Sequence, residues 1–158
     1  MAQPIIYTDY VLVGFQELFN TISLIQAQVI GWPKSIQVPT LVAHIFDGLE
    51  QSGSGQVVTR DYRTIHRVYI LWQDWAEAEQ TAADVADQIA SAIIEHPTLF
   101  GRIATTGAAM VPNCVGGRVL LDANVRTGFT NFEDGSRYRI IDFTTTTKVK
   151  FAKLGLEG

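Results

Sequence analysis

The spacing of apolar positions changes along the chain, and each change marks an element. From Thr64 to Trp72 β-branched and aromatic residues dominate, the composition of a pleated, largely buried strand. From Asp74 the period becomes helical. Ala78, Ala82, Val85, Ala86, Ile89 and Ile93 recur on one side, with Glu77, Asp84, Asp87, Gln88, Ser91 and Glu95 on the other. Asp74 is placed to cap the first turn, and Glu77 follows three residues on, as in a capping box. Pro97 ends the helix by biasing His96 away from the α region. Tyr62 to Gly101 therefore reads as a strand running into an amphipathic helix, a layered packing that specifies no chemistry.

Upstream, Met1 to Tyr7 reads as an extended lead-in, and Thr8 and Asp9 as a helix start. Val11, Phe15, Leu18, Phe19, Ile22, Ile25 and Val29 follow at three- and four-residue steps, closed by Gly31 and Pro33. The helix reading extends to Ser23; from Ile22 to Ile30 the Ile and Val content equally suits a strand. Val38 to Leu49 carries two readings. Leu41, Val42, Ile45, Phe46 and Leu49 fit a helix face with Pro39 in its first turn, while Thr40 to Asp47 fits an apolar strand ending in an Asp-Gly turn. The strand is preferred, because the polar loop Glu50 to Gln56 would return it antiparallel to Thr64–Trp72.

Downstream, Arg102 to Val111 is predicted as a strand and Pro112 to Gly117 as a turn. Val119, Leu121, Ala123, Val125, Thr127 and Phe129 then alternate with Leu120, Asp122, Asn124, Arg126 and Gly128 as one half-buried strand. Glu133 to Ser136 turns the chain, and Tyr138 to Phe151 runs back with Ile141, Phe143, Val149 and Phe151 on one face. The expected fold is α+β: an N-terminal helix and a central amphipathic helix packed on a mostly antiparallel β-sheet, with a long C-terminal β-hairpin whose tip projects. One domain spanning 1–158 accommodates it.

Composition sharpens the picture in one respect. Apolar residues make up 47% and charged residues only 18%, which leaves apolar surface outside and favours self-association. The net charge is −4 and unevenly spread. Between Val68 and Gly101 lie Asp74, Glu77, Glu79, Asp84, Asp87 and Glu95 with no Lys or Arg. Arg60, Arg63 and Arg67 precede this stretch; Arg118, Arg126, Arg137, Arg139, Lys148, Lys150 and Lys153 follow it. An acidic face and a basic face on one small body suit head-to-tail contact between copies, beside the plainer reading of solvated surfaces. The acidic balance (pI ≈ 5.3) argues against a free-standing nucleic-acid binder, although RDYRTIHR at 60–67 mixes bases and aromatics.

Motifs with chemical mechanisms are missing. The lone Cys114 permits no intrachain disulfide and fits either a reducing compartment or no redox requirement, and His44, His66 and His96 have no metal-ligand spacing. His44 and His66 instead suit a structural pairing across neighbouring strands. Gly53 and Gly55 lack a following Gly-Lys-Ser/Thr, Gly116-Gly117 lacks dinucleotide-binding spacing, and no serine sits in a nucleophile elbow. The expectation is a protein without enzymatic activity, cofactor or metal. Trp72 and Trp75 read as core or interface anchors. No signal peptide or bilayer-spanning stretch is apparent.

The order of parts resembles the tail terminator, or tail completion, proteins of long-tailed bacteriophages. The resemblance covers most of the chain: the N-terminal helix, the strand TIHRVYILW, the helix AEAEQTAADVADQIASAII, its ending HPTLFG at 96–101, and the β-hairpin beyond. In that family a strand carrying an Arg leads into an Ala-rich acidic helix that ends in a phrase like this one. The resemblance implies a structural virion protein that forms a ring, usually a hexamer, on the last ring of the tail tube. Such a ring halts polymerisation and meets the head connector, with DNA only passing through its lumen and no membrane contact. Its setting would be the tail or neck of a virion assembled in the host cytoplasm. A head–tail connector or neck protein is the nearest alternative, and a small non-viral binding module a more distant one. Under this resemblance Glu77, Asp84 and Glu95 and the basic Arg126, Arg137 and Arg139 are candidate subunit-interface residues. Gln51, Ser52, Gly53, Phe132, Glu133 and Asp134 are candidates for docking to tube or connector.

Overall fold

The computed structural model describes residues 5–53, 55–107 and 109–152. A π-helical turn, Tyr7–Leu12, leads directly into α1, Val13–Asn20. Strand β1 spans Ala27–Ile30, β2 Thr40–Ser52 and β3 Val57–Leu71. Helix α2, Trp75–Glu95, follows, then β4 (Cys114–Leu121), β5 (Arg126–Asn131) and β6 (Arg137–Ala152). The strands form one sheet in the order β1-β2-β3-β6-β4, antiparallel except for the parallel β1–β2 pair. β5 also pairs with β6. Because β3 occupies one side of β6 along its length, β4 and β5 share the other side end to end.

Both helices cover the same face of the sheet. Phe15, Leu18, Phe19, Val85, Ile89 and Ile93 pack there onto Val42, Val68, Ile141, Phe143, Val149 and Phe151. Each large side chain buried this way contributes about 2–3 kcal/mol, so the helix stripes rather than helix propensity hold the two layers together. Asp74 caps α2, its carboxylate accepting from the Glu77 N–H at 3.0 Å. The helix ends at His96, before Pro97. His44 and His66 face each other under α1, as the strand registers require.

Several expectations are corrected. The first helix begins before Thr8 and Asp9: Ile6 is its N-cap, Tyr7 is already helical, and no side chain caps it. Residues 1–4 of the expected lead-in lie outside the described residues. α1 stops at Asn20 rather than Ser23, and the strand alternative for Ile22–Ile30 holds for its last four residues. Thr40–Ser52 is a strand, antiparallel to β3, but Asp47-Gly48 makes no turn. Gly48 instead carries a bulge between Phe46 and the next pairing, at φ 137°, a conformation glycine takes without strain. The following loop is shorter than Glu50–Gln56, because β2 runs on to Ser52.

Arg102–Val111 is not a strand. Leu99, Phe100 and Gly101 all take left-handed conformations (φ 52°, 59° and 88°), which turns the chain inward and drives Leu99 and Ile103 into the core. The Val111 N–H closes the excursion by donating to the Arg102 carbonyl at 2.7 Å. The expected turn at 112–117 is confined to Pro112 and Asn113, since β4 begins at Cys114 with a bulge before Gly116. The expected single strand through Val119–Phe129 is broken at 122–125 into β4 and β5. The C-terminal hairpin has short arms, Arg126–Asn131 against Arg137–Asp142, and β6 is an interior strand. Only the turn at 132–136 extends beyond the pairing with β3, and even there Phe132 packs on Tyr69 and Tyr138.

Candidate functional site

The surface sorts by charge because both helices cover one face of the sheet, while on the other a smaller cluster of Ile36, Leu41, Ala43, Tyr69 and Tyr138 is buried and the remainder is open. On the covered side, α2 turns Glu77, Asp84, Asp87 and Glu95 to solvent. None of the four forms an ion pair among the described residues. On the open side, Arg118, Lys148, Lys150 and Arg126 alternate with the buried Val119, Val149 and Ile141, and so point away from the helices. Lys148 lies 3.5 Å from Asp61, and Arg67 makes two bonds to Asp142, at 2.7 and 2.8 Å, beneath the Trp32 ring. Arg118, Arg126 and Lys150 are exposed and form no ion pair among the described residues. The acidic exposed side of α2 and the base-rich surface therefore lie on opposite sides of the sheet, with Arg137 and Arg139 on the α2 side at its N-terminal end.

A second feature sits where β6 begins beside the start of α2. Trp72, Trp75 and Phe129 cluster with centroid separations of 5.4–6.0 Å. The Arg137 guanidinium lies over Trp72 at 4.1 Å and over Phe129 at 4.7 Å. Two residues along the same face, Arg139 also lies over Phe129 and pairs with Glu79 of α2 at 2.8 Å. Trp75 is 59% exposed, and the Trp72 indole N–H is buried without a hydrogen-bond partner among the described residues.

The six candidate interface residues are thus not brought together. Glu77, Asp84 and Glu95 line α2, Arg137 and Arg139 stand at its N-terminal end, and Arg126 lies on the opposite face of the sheet. The six candidate docking residues fall into two groups at opposite ends of the sheet. Gln51, Ser52 and Gly53 end the β2 arm, where the Gln51 side-chain carbonyl accepts from Arg60 at 2.7 Å. Phe132, Glu133 and Asp134 form the β5–β6 turn; Ser136 donates twice to the Asp134 carboxylate, holding its pKa below the usual value. The 15 residues of β3 separate the groups by roughly 50 Å.

No family model matches the chain, and no curated protein matches it. Among solved structures, a chain from the virion of a native gene transfer agent particle is similar, with a TM-score of 0.49 and 17% identity. The alignment covers 87% of this chain and 91% of that one.

Concave features are shallow. An apolar groove of about 570 Å³ runs between α2 and β4, lined by Ile93, Ile94, Val119, Leu120 and Leu121. A polar cleft of about 520 Å³ on the open face is lined by Arg63, Asp122, Arg126 and Asp142. Among the described residues no group of three or more His, Cys, Asp or Glu side chains is arranged to hold a metal ion. No helix among them is long and apolar enough to cross a membrane.

Sequence reasoning singled out Trp72 and Trp75 but missed Phe129 and the stacking role of Arg137. The signal was available: alternation puts Phe129 on the core-facing side, and a hairpin turn at 133–136 sets it against Arg139. Arg139, one of the candidate interface residues, pairs with Glu79 of α2 in the same protomer.

Proposed function

We propose that this protein is a structural virion component that closes into a ring on the end of a phage-like tail tube. There it stops tube growth and provides the surface that meets the head connector. The observation that carries the reading is the segregation of acid-only α2 and the base-rich open face onto opposite sides of one protomer. Unlike faces that complement one another generate head-to-tail contact, and such contact closes into a ring when the rotation permits. The candidate docking residues at 51–53 and 132–134 support the same reading, since their separation lets one end of each subunit meet the tube and the other the connector. The order of elements described above agrees with it. On this reading the chain works by fitting surfaces together, without catalysis or cofactor.

The test is the assembly state of the purified chain by analytical ultracentrifugation and negative-stain electron microscopy, alone and with tail tubes. A closed ring that loosens as salt rises is the expected result, because exposed charges are screened. The triple variant Arg118→Glu, Arg126→Glu, Lys150→Glu should weaken it. A chain that stays monomeric both alone and on tubes overturns the proposal, and a ring that binds only the head side favours the connector reading.

A further inference from the structure

We infer that Arg137 anchors the contact between copies of this chain, taking carboxylates from the exposed face of α2 of a second copy. This rests on the ring reading above and adds, on the helix side of the sheet, a contact beyond the open-face bases named there.

Arg137 is prepared for a partner in three ways. Its backbone is fixed, because the Trp72 N–H donates to the Arg137 carbonyl at 2.9 Å. Its guanidinium lies over Trp72 and Phe129, so much of the side-chain entropy lost on binding is already spent in the free protomer. Its donors remain open, since it is exposed and makes no ion pair among the described residues. Arg139 provides the internal contrast: the same strand face and the same Phe129 ring, but a carboxylate, Glu79, already in place. An exposed Trp, a half-buried Trp and Phe, and an open Arg in one patch have the composition of an interface hot spot.

Charge complementarity identifies the occupant. The patch offers a cation, and α2 offers Asp84 and Asp87 three residues apart on one exposed helix face, with no ion-pair partner among the described residues. Arg137 does not reach them within its own protomer. α2 starts at the patch with Trp75, and Asp84 lies nine residues further on, roughly 14 Å along the axis. The pairing is satisfied only between copies. Donor patch and acceptor face are different surfaces, which is what a head-to-tail contact requires.

The test is sedimentation of the full chain at low salt, with far-UV circular dichroism as the folding control. Arg137→Glu and the double variant Asp84→Lys, Asp87→Lys should each weaken association roughly thirtyfold or more. All three changes in one chain should restore it, since every copy then carries both swapped partners. Asp84→Asn, Asp87→Asn serves if the lysine pair disturbs α2. Arg137→Lys keeps the charge but not the flat stacking, and should recover only part of the affinity. Tryptophan emission should shift on assembly of the wild-type chain. If wild-type rings form and Arg137→Glu leaves them unchanged, the inference is overturned and the ring reading stands. If only a twofold dimer forms, weakened by Arg137→Glu and restored by the swap, the contact stands and the ring reading falls. A wild-type chain that stays monomeric at millimolar concentration overturns the inference.

Discussion

His44 and His66 meet Nδ1 to Nδ1 at 2.8 Å in the core, with Phe15 and Phe19 packed against their rings. The neighbours fix every proton in this pair. Gln28 turns its amide Nε2 to the Gln16 carbonyl and the Asn20 side chain, so its Oε1 faces His44 and accepts from Nε2 at 2.8 Å. Neutral His44 then has a bare Nδ1, which accepts from His66 Nδ1–H. That leaves His66 Nε2 to accept from the Thr145 hydroxyl at 2.8 Å. One directed chain of hydrogen bonds thus runs from β6 to β1 across the covered face, and it exists only while both rings are neutral.

Acid should therefore unfold the protein earlier than its carboxylates would. Burial pulls His44 down to about 4, and burial together with the neighbouring His44 pulls His66 well below its usual value. Between the ordinary histidine pKa of about 6.5 and these lowered values the unfolded chain binds more protons, so stability is full above about pH 6.5 and falls as the pH drops toward 4. His44 alone accounts for a loss on the order of 3 kcal/mol over that window. Urea midpoints measured between pH 8 and 5, above most carboxylate titration, should decline only below 6.5. A midpoint flat down to pH 5 would contradict this, as would ¹⁵N shifts placing the His44 proton on Nδ1.

Replacing Gly14 by alanine should destabilise the protein, although helix propensity alone predicts a gain of about 1 kcal/mol. A Cβ at Gly14 would stand 2.7 Å from the Leu99 Cβ. Leu99 has no room to withdraw, being fully buried and held in a left-handed turn with Phe100 and Gly101. The expected cost is about 1–3 kcal/mol, read from chemical denaturation. A stabilised Gly14→Ala protein would show that the 96–101 turn yields easily.

These two sites show what was legible in the sequence and what was not. The stripe of Ala78, Val85, Ile89 and Ile93, the capping by Asp74, the stop at His96-Pro97 and the facing histidines all follow from local period and strand pairing. Arg102–Val111 did not, because its conformation is dictated by where Leu99 and Ile103 must go in the core rather than by its own β-prone composition. The break between β4 and β5 was hidden for a related reason: the side-chain alternation keeps phase across 122–125, so only the shared edge of β6 reveals it. At the candidate site, charge segregation was visible as a count along the chain. The partner of each charge was not, since Glu79 and Arg139 are 60 residues apart.

On the open face, the Arg67–Asp142 pair should contribute to stability more than an ordinary surface pair. Both side chains are largely covered, the geometry is bidentate, and Trp32 lies 4.6 Å above the guanidinium. Asp142→Ala leaves that guanidinium partly buried without its acceptor, at an expected cost of about 2 kcal/mol. Arg67→Met with Asp142→Leu should recover much of it, since neither partner is then stranded. A cycle with no coupling between the two positions would reduce the pair to surface decoration.

Arg137 and Arg139, two residues apart on one face of β6, should separate cleanly by experiment. Arg139 is ion-paired within the protomer to Glu79, with a side chain only 15% exposed, so Arg139→Ala and Glu79→Ala should each lower the urea midpoint, with an apparent cost of about 1–2 kcal/mol. Their double variant should cost less than the sum, because the contact is lost only once. Both should leave association of the folded protein near its wild-type value. Arg137→Ala should do the reverse, with stability within about 0.5 kcal/mol of wild type and association weakened. An Arg139→Ala protein that keeps its midpoint but fails to assemble would exchange the two assignments, making Arg139 the intersubunit contact and its pairing with Glu79 incidental.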